Sequence, residues 1–367
     1  MFTPSKKQAE QTAQKLLAGH CGLIAWWALR HAGVFDAMVK FKTEKNEGLN
    51  PAVHAARTNM APDVLEALLQ YLASTGLIVF KKEEAHFTPE GQALFDHEDG
   101  FLQLVRAYQP VLEMAEHLLA KLKTYGSNSG SGIQRKSEYM IESQASRHGA
   151  EVFPAIEDII AKHKLTHLLD LTCGGGDLLM HVLSHHKKVV GVGIGADAAS
   201  VRKANDAINQ AEIDKRVIVV SASAMDVLTD TQRTFDRIGI SRQLWKEFDC
   251  VIATSLLGEM ASKPAEITRI LTAFSKSFPN AHLMLIEPIE SPKAQKNYYA
   301  AELSLLLKLS RAAPLPADDW RVLFAGAKMK VIQEMHLMTE GLAIFLCRPT
   351  PVAAPAAHQP SSAITPR

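Results

Sequence analysis

The sequence predicts an α/β protein in two parts: a mainly helical first third, then a mostly parallel sheet covered by helices on both faces, with an antiparallel hairpin at one edge. Three observations predict it. From about Lys162, apolar runs of four to eight residues alternate with amphipathic segments, the pattern of successive strand–helix units. The run LLDLTCGGGDLL sets three glycines, Gly174, Gly175 and Gly176, between one such strand and the next helix. At the end, MKVIQEMHLM and GLAIFLCRP follow one another around Thr339-Glu340-Gly341 with no helix between, which breaks the alternation and reads as the edge hairpin.

The strands of the second part are HLLDLTC, VVGVGI, VIVVSAS, FDCVIATSLL and HLMLIEPI. Between them lie the amphipathic stretches DLLMHVLSHH, DAASVRKANDAINQAE, RQLWKEF and PAEITRILTAFSKSF, and PADDWRVLFAGA reads as a structural helix leading into the hairpin. The first part is helical to about residue 122. CGLIAWWALRHAGVFDAM is apolar on nearly all sides, as a buried helix would be. PAVHAARTN and PDVLEALLQYLASTG read as two short helices, the second opened by Pro62 and closed by Gly76. LIVFKKEEAHFTPEG reads as two strands around a charged turn. Helix, helix, hairpin is the order of a winged helix.

Composition bounds the function. The chain has 367 residues, which favours two domains, and 47% hydrophobic with 22% charged residues is a soluble globular profile. Forty basic against 39 acidic residues give a net charge of +1, which does not suit a protein that neutralises phosphates. The stretch from Asp63 to Gly76 carries Asp63 and Glu66 but no Lys or Arg, so the helix that would enter a DNA groove lacks the side chains that bind one. Cys21, Cys173, Cys250 and Cys347 are scattered with no CxxC pair, as expected of reduced thiols in a cytoplasmic protein. The polar N-terminus does not read as a signal peptide, and no apolar run is long enough to suggest a membrane span. TYGSNSGSG (124–132) reads as a flexible loop, and the Pro/Ala-rich end from 350 to 367 as a disordered tail. The expected organisation is 1–122 helical, 123–160 connecting, 161–349 α/β, and 350–367 tail.

The glycines follow the first strand, where the ligand of an open α/β sheet sits. Glycines there let backbone approach a ligand without Cβ clashes. Asp177 at the helix start disfavours a phosphate, and no GxxxxGK[ST] occurs. Asp170 suits a ligand with a positive end, such as S-adenosylmethionine. Asp170 to Gly176 resembles the DxGxGxG motif of class I S-adenosylmethionine-dependent methyltransferases, and with the winged-helix front end and FDCVIATSLLGEM the chain resembles, over roughly residues 18 to 348, the plant and bacterial small-molecule O-methyltransferases. The resemblance implies a Rossmann-like domain, S-adenosylmethionine as methyl donor (leaving as S-adenosylhomocysteine), a small-molecule acceptor, and a homodimer through the N-terminal domain. It places the cofactor on Asp170, Thr172, Gly174, Gly175, Gly176, Gly193, Ser223, Ala224, Met225, Asp226 and Thr254. It implies a helical cover over the acceptor, for which AQKNYYAAELSLLLKLS (294–310) is suited, with Tyr298 and Tyr299 as lining residues. Tyr139 and Met140 fall in a stretch that borders the ligand in this architecture.

The pattern is departed from at four places. Thr172 stands where the motif has its first glycine. Gly193 stands where an acid would bind the ribose hydroxyls; under that alignment Gly193→Asp should tighten binding, and the nearest acid, Asp197, reads as a helix cap. Ser223 stands for the acid near the adenine amino group, with Asp226 as a substitute. Gly258 stands where a His would be the general base, leaving Glu259 as the candidate catalytic residue. Without that His, acceptors that need no strong base are favoured, and rate comes from proximity and orientation. The alternatives are a methyltransferase-like fold with lost or repurposed catalysis and, less well supported, a winged-helix transcription regulator. His181 and His185 have the spacing of a metal-binding pair, but no third ligand is apparent in the sequence and no metal is expected.

Overall fold

A computed structural model describes residues 6–96, 100–121, 133, 135–149, 151–260, 263–290, 300–310, 314–337 and 341–350. Tyr298, Tyr299, the Gly/Ser stretch and the C-terminal tail lie outside the described residues. The chain forms two compact units, 1–99 and 100–367. The division falls earlier than the 122 expected, because the helix Gly100–Glu113 packs against Ser137–Gly149 and so belongs to the second unit.

In the first unit the apolar segment is two helices, Lys6–His31 and Val34–Lys45, rather than one. Gly33 separates them with a φ of 73°, a left-handed conformation that glycine adopts at no steric cost. Trp26, Leu29, Phe35 and Met38 are buried, whereas Leu16, Leu17 and Ile24 are exposed. The helices Pro51–Thr58 and Pro62–Ser74 follow, the first capped by the Asn50 side chain accepting from the Val53 N–H. Strands β1 (Ile78–Lys81) and β2 (Glu84–Phe87) then pair antiparallel.

Among the described residues the second unit holds eight strands: β3 (His167–Asp170), β4 (Val190–Gly195), β5 (Val217–Ser221), β6 (Cys250–Thr254), β7 (His282–Glu290), the two-residue β8 (Leu315–Pro316), β9 (Met329–Leu337) and β10 (Leu342–Pro349). Their order is β5-β4-β3-β6-β7-β10-β9, with β8 beside β7. Strands β3 to β7 run parallel, and β10 lies antiparallel to both β7 and β9, as the end of the sequence predicts.

Both faces of the sheet are buried, because neighbouring residues of one strand feed opposite cores. Leu169, Val251 and Ala253 pack on one side with Phe235, Phe274, Trp320 and Phe324, whereas Leu168, Cys250 and Ile252 pack on the other with Ile156, Leu179 and Ala204. The chain winds outward from β3 to β5, then returns to place β6 on the other side of β3. The crevice between the carboxyl ends of β3 and β6 is therefore the switch point, where a ligand finds room between connections that leave in opposite directions. Among the described residues no helix is long and apolar enough to cross a membrane.

Candidate active site

The turn after β3 is held open by its glycines. Gly174 and Gly176 have φ of 52° and 82°, in the left-handed region, and Gly176 precedes the helix Asp177–His185. A Cβ at Gly176 would meet Ala204 at 3.5 Å, so this glycine faces the next helix. The pocket at the switch point is lined by Asp170, Thr172, Cys173, Gly174, Gly175 and Thr254, closed on the far side by Gln144, His148 and Phe153.

Asp170 is buried, and burial raises its carboxyl to about 6 against the lowering effect of the Thr172 backbone and side-chain hydrogen bonds. The Thr172 N–H donates to Asp170 Oδ1 at 2.9 Å, and the Thr172 hydroxyl reaches the same oxygen at 3.4 Å. That hydroxyl also accepts the Thr254 backbone N–H at 2.8 Å. The threonine in place of the motif's first glycine thus ties the end of β3 to the end of β6 across the crevice. Beyond β6, Ser255 has a φ of 51°, strained for a residue with a side chain, of the kind found where structure serves a site.

A second pocket adjoins the first. Tyr108, Arg135, Met140, Ser255, Glu287 and Leu307 are among its lining residues, and Gln144 and His148 line both pockets. His148 is buried, which together with the charge of Arg147 lowers its pKa to about 3 and keeps the imidazole neutral. Glu287, buried in β7, accepts the backbone N–H groups of Leu257 at 2.7 Å and Gly258 at 3.1 Å. A Cβ at Gly258 would stand 2.7 Å from Glu287 Oε2. The place where the sequence comparison expects a histidine is therefore taken up by a carboxylate arriving from the neighbouring strand. The helix Ala300–Leu309, from the segment expected to cover the acceptor, contributes Leu307 to this pocket.

Of the residues singled out from the sequence, Asp170, Thr172, Gly174, Gly175 and Thr254 come together in the first pocket and Met140 lies in the second. Tyr139 is among the lining residues of neither; its ring lies under the Arg106 guanidinium at 4.1 Å. Glu259 falls in the short turn Gly258–Met260 after β6. Ser223 to Asp226 sit beyond the end of β5, two strands from β3; Ser223 caps the helix Ala224–Thr229, and Asp226 pairs with Arg237 at 3.4 Å. Gly193 needs correction. It pairs with Asp170 inside the sheet, two residues before β4 ends, and a Cβ there would strike Cys173 Sγ at 2.7 Å. It is a packing glycine with no room for an acid. Asp197 is the N-cap the sequence predicts, its carboxylate taking the Ser200 N–H and hydroxyl, each at 2.7 Å.

Sequence reasoning missed Gln144, His148 and Glu287. Glu287 carried a signal, a charged residue inside an apolar strand, which requires a buried partner. Gln144 and His148 sit on a helix with no motif of its own.

No sequence family and no curated protein matches the chain in sequence. Solved structures do match in fold along nearly the whole length. The mitomycin 7-O-methyltransferase MmcR covers 93% of this chain and 98% of its own, at 14% identity and a TM-score of 0.67. Human N-acetylserotonin methyltransferase, solved in complex with SAM, covers 95% and 99%, at 13% identity and 0.66. The N,N-8-amino-8-demethyl-D-riboflavin dimethyltransferase from Streptomyces davawensis covers 95% and 100%, at 16% identity and 0.58. The chain has the fold of these small-molecule methyltransferases, with the mostly parallel sheet, edge hairpin and helical N-terminal part that the sequence predicts.

Proposed function

We propose that the protein is an S-adenosylmethionine-dependent methyltransferase acting on a small molecule. The observation that carries the reading is Asp170: a buried carboxylate held near neutrality by desolvation, in a glycine-lined pocket at the switch point, is built to receive a cation. An α-ammonium group there would replace the water that Asp170 has lost. Structural relatives solved with SAM or SAH support the same ligand class. On this reading Asp170, Thr172, Gly174, Gly175 and Thr254 hold the methionine end, and Ser223 to Asp226 flank the adenine. When bound, the cofactor supplies an electrophilic methyl group on a sulfonium. The second pocket then holds the acceptor, with Gln144 and His148 at the junction.

The neutral imidazole of His148 accepts a hydrogen bond but, at a pKa of about 3, takes up a proton poorly. Glu287 is engaged by two backbone N–H groups and fixes the loop after β6. The site therefore favours acceptors that bring their own nucleophilic lone pair, an amine, a thiolate or an acidic enol, aligned by the two pockets. Glu259 is kept as a candidate for orienting the acceptor. The exposed Leu16, Leu17 and Ile24 support a homodimer through the N-terminal unit, whose helix–helix–hairpin order fits a winged helix used for assembly.

Calorimetric titration with S-adenosylmethionine and S-adenosylhomocysteine tests the reading. Saturable binding of both is expected. No heat from either ligand at several hundred micromolar, roughly the upper end of useful cofactor affinities, would overturn it.

A further inference from the structure

The sequence offers His181 and His185 as a pair one helical turn apart and no third ligand. The structure supplies one. Glu157, on the helix Val152–His163, reaches across to the helix Asp177–His185. Glu157 Oε2 lies 2.9 Å from His181 Nε2 and 3.3 Å from His185 Nδ1, and Glu157 Oε1 lies 3.1 Å from His186 Nε2. The ligand atoms of Glu157, His181 and His185 all fall within 4.8 Å of one another.

Two imidazole nitrogens approach the same carboxylate oxygen from adjacent turns of a helix, and a third approaches the other oxygen. Two nitrogens and an oxygen are thereby gathered within metal-ligand reach of one another. In tetrahedral zinc coordination, bonds of about 2.0–2.2 Å separate neighbouring ligand atoms by roughly 3.3 Å. The His185–Glu157 separation is already at that spacing, and the His181–Glu157 separation falls about 0.4 Å short of it, a shift that side-chain rotation can supply. His186 holds the other carboxylate oxygen and so sets the rotation of the carboxylate, the supporting contact that metal-ligating groups usually have. His185 is 55% exposed, which leaves an entry path and a solvent-facing coordination position.

We propose that Glu157, His181 and His185 form a binding site for a divalent transition metal, zinc in the first place. Two imidazoles and one carboxylate suit zinc and its nitrogen-preferring neighbours and do not suit magnesium or calcium. The site lies outside both pockets and takes no part in methyl transfer. Its effect is to clip the helix Val152–His163 to the helix that begins at the glycine turn. The clip reaches the first pocket through Phe153, whose ring lies 5.8 Å from that of His181 and which lines that pocket.

The test uses the full chain, purified without a histidine tag and stripped with chelator, titrated with ZnCl2 in the calorimeter. One Zn2+ per chain is expected, with a Kd of about 10 µM or tighter. His185→Asn and Glu157→Gln should each weaken binding at least tenfold, the range in which losing a metal contact falls. Because His185 is exposed, His185→Asn leaves the packing intact. Zn2+ should raise the melting temperature of the wild type and not that of the double variant. Co2+ should give the intense visible bands of a four-coordinate site. Absence of one-to-one binding up to about 100 µM Zn2+ would overturn the proposal. Equal affinity in the double variant, His185→Asn with Glu157→Gln, would do so as well, because the metal would then sit elsewhere.

Discussion

Asp170→Asn should make the ligand-free protein more stable and the cofactor complex weaker. Asn keeps an oxygen to accept the Thr172 N–H and removes the buried charge. A carboxyl pKa of about 6 in the fold, against an ordinary 3.8, means that the ionised form is disfavoured there relative to the unfolded chain. At 1.36 kcal/mol for each tenfold change, that cost is on the order of 3 kcal/mol once the group is fully ionised. The sign follows from the raised value. The stability associated with the protonated group is complete below 3.8 and is lost as pH rises through about 6. The variant should therefore differ little from wild type near pH 3, show roughly half of the full difference by about pH 5, and exceed wild type by about 1–3 kcal/mol at pH 8, read from urea unfolding without ligand. S-adenosylmethionine affinity at pH 8 should fall on the order of ten- to a hundredfold, since a charge-assisted contact is worth roughly 1.5–3 kcal/mol. A variant less stable than wild type at pH 8, or a difference independent of pH, would show that the carboxylate is compensated within the fold and is not waiting for a cation.

The Thr172 hydroxyl serves the Thr254 N–H, so Thr172→Val should cost about 1–2 kcal/mol in urea unfolding while Thr172→Ser stays close to wild type; equal losses would refute the assigned hydrogen bond. Gly193→Asp should lower stability by about 1–3 kcal/mol through its clash with Cys173, and tighter cofactor binding by this variant would sink the packing argument. Gly258→His should likewise lower the melting temperature, because its Cβ would press on Glu287, and a gain in methyl-transfer rate would show instead that the loop can yield to seat a base.

The sheet was legible because its signals are local. Strands such as VVGVGI stay apolar through a short run, and the amphipathic period returns between them. Asp170 and the glycine turn were legible for the same reason: one short segment carries strand, turn and helix start. Register is less local. Gly193 was assigned to the strand end by motif spacing, whereas the ladder sets it against Asp170, two residues earlier than the end of β4. The helix break at Gly33 was hidden because apolar residues continue on both sides of it. Residues brought in by tertiary packing left still less trace. His148 meets the glycine turn only because its helix folds over it, and Glu157 lies 24 residues from the His181 that it joins.

Two of the departures from the methyltransferase pattern, Thr172 and Gly258, are matched by other groups in the same site. Thr172 adds a hydroxyl where the motif has none, and that hydroxyl is used by Thr254. Gly258 omits a side chain, and the space is used by the Glu287 carboxylate, which takes two backbone N–H groups of the same loop. Ser255 adds a third tie, its N–H donating to Ile286 O at 2.7 Å. The chain leaving β6 is thus held from β3 on one side and from β7 on the other. It keeps the strained backbone of Ser255 in the lining of the second pocket. Drift alone has no physical reason to supply satisfied partners at these two positions, because a glycine facing water would cost less than a buried carboxylate. The loop after β6 is thereby fixed beside the second pocket by groups other than a histidine.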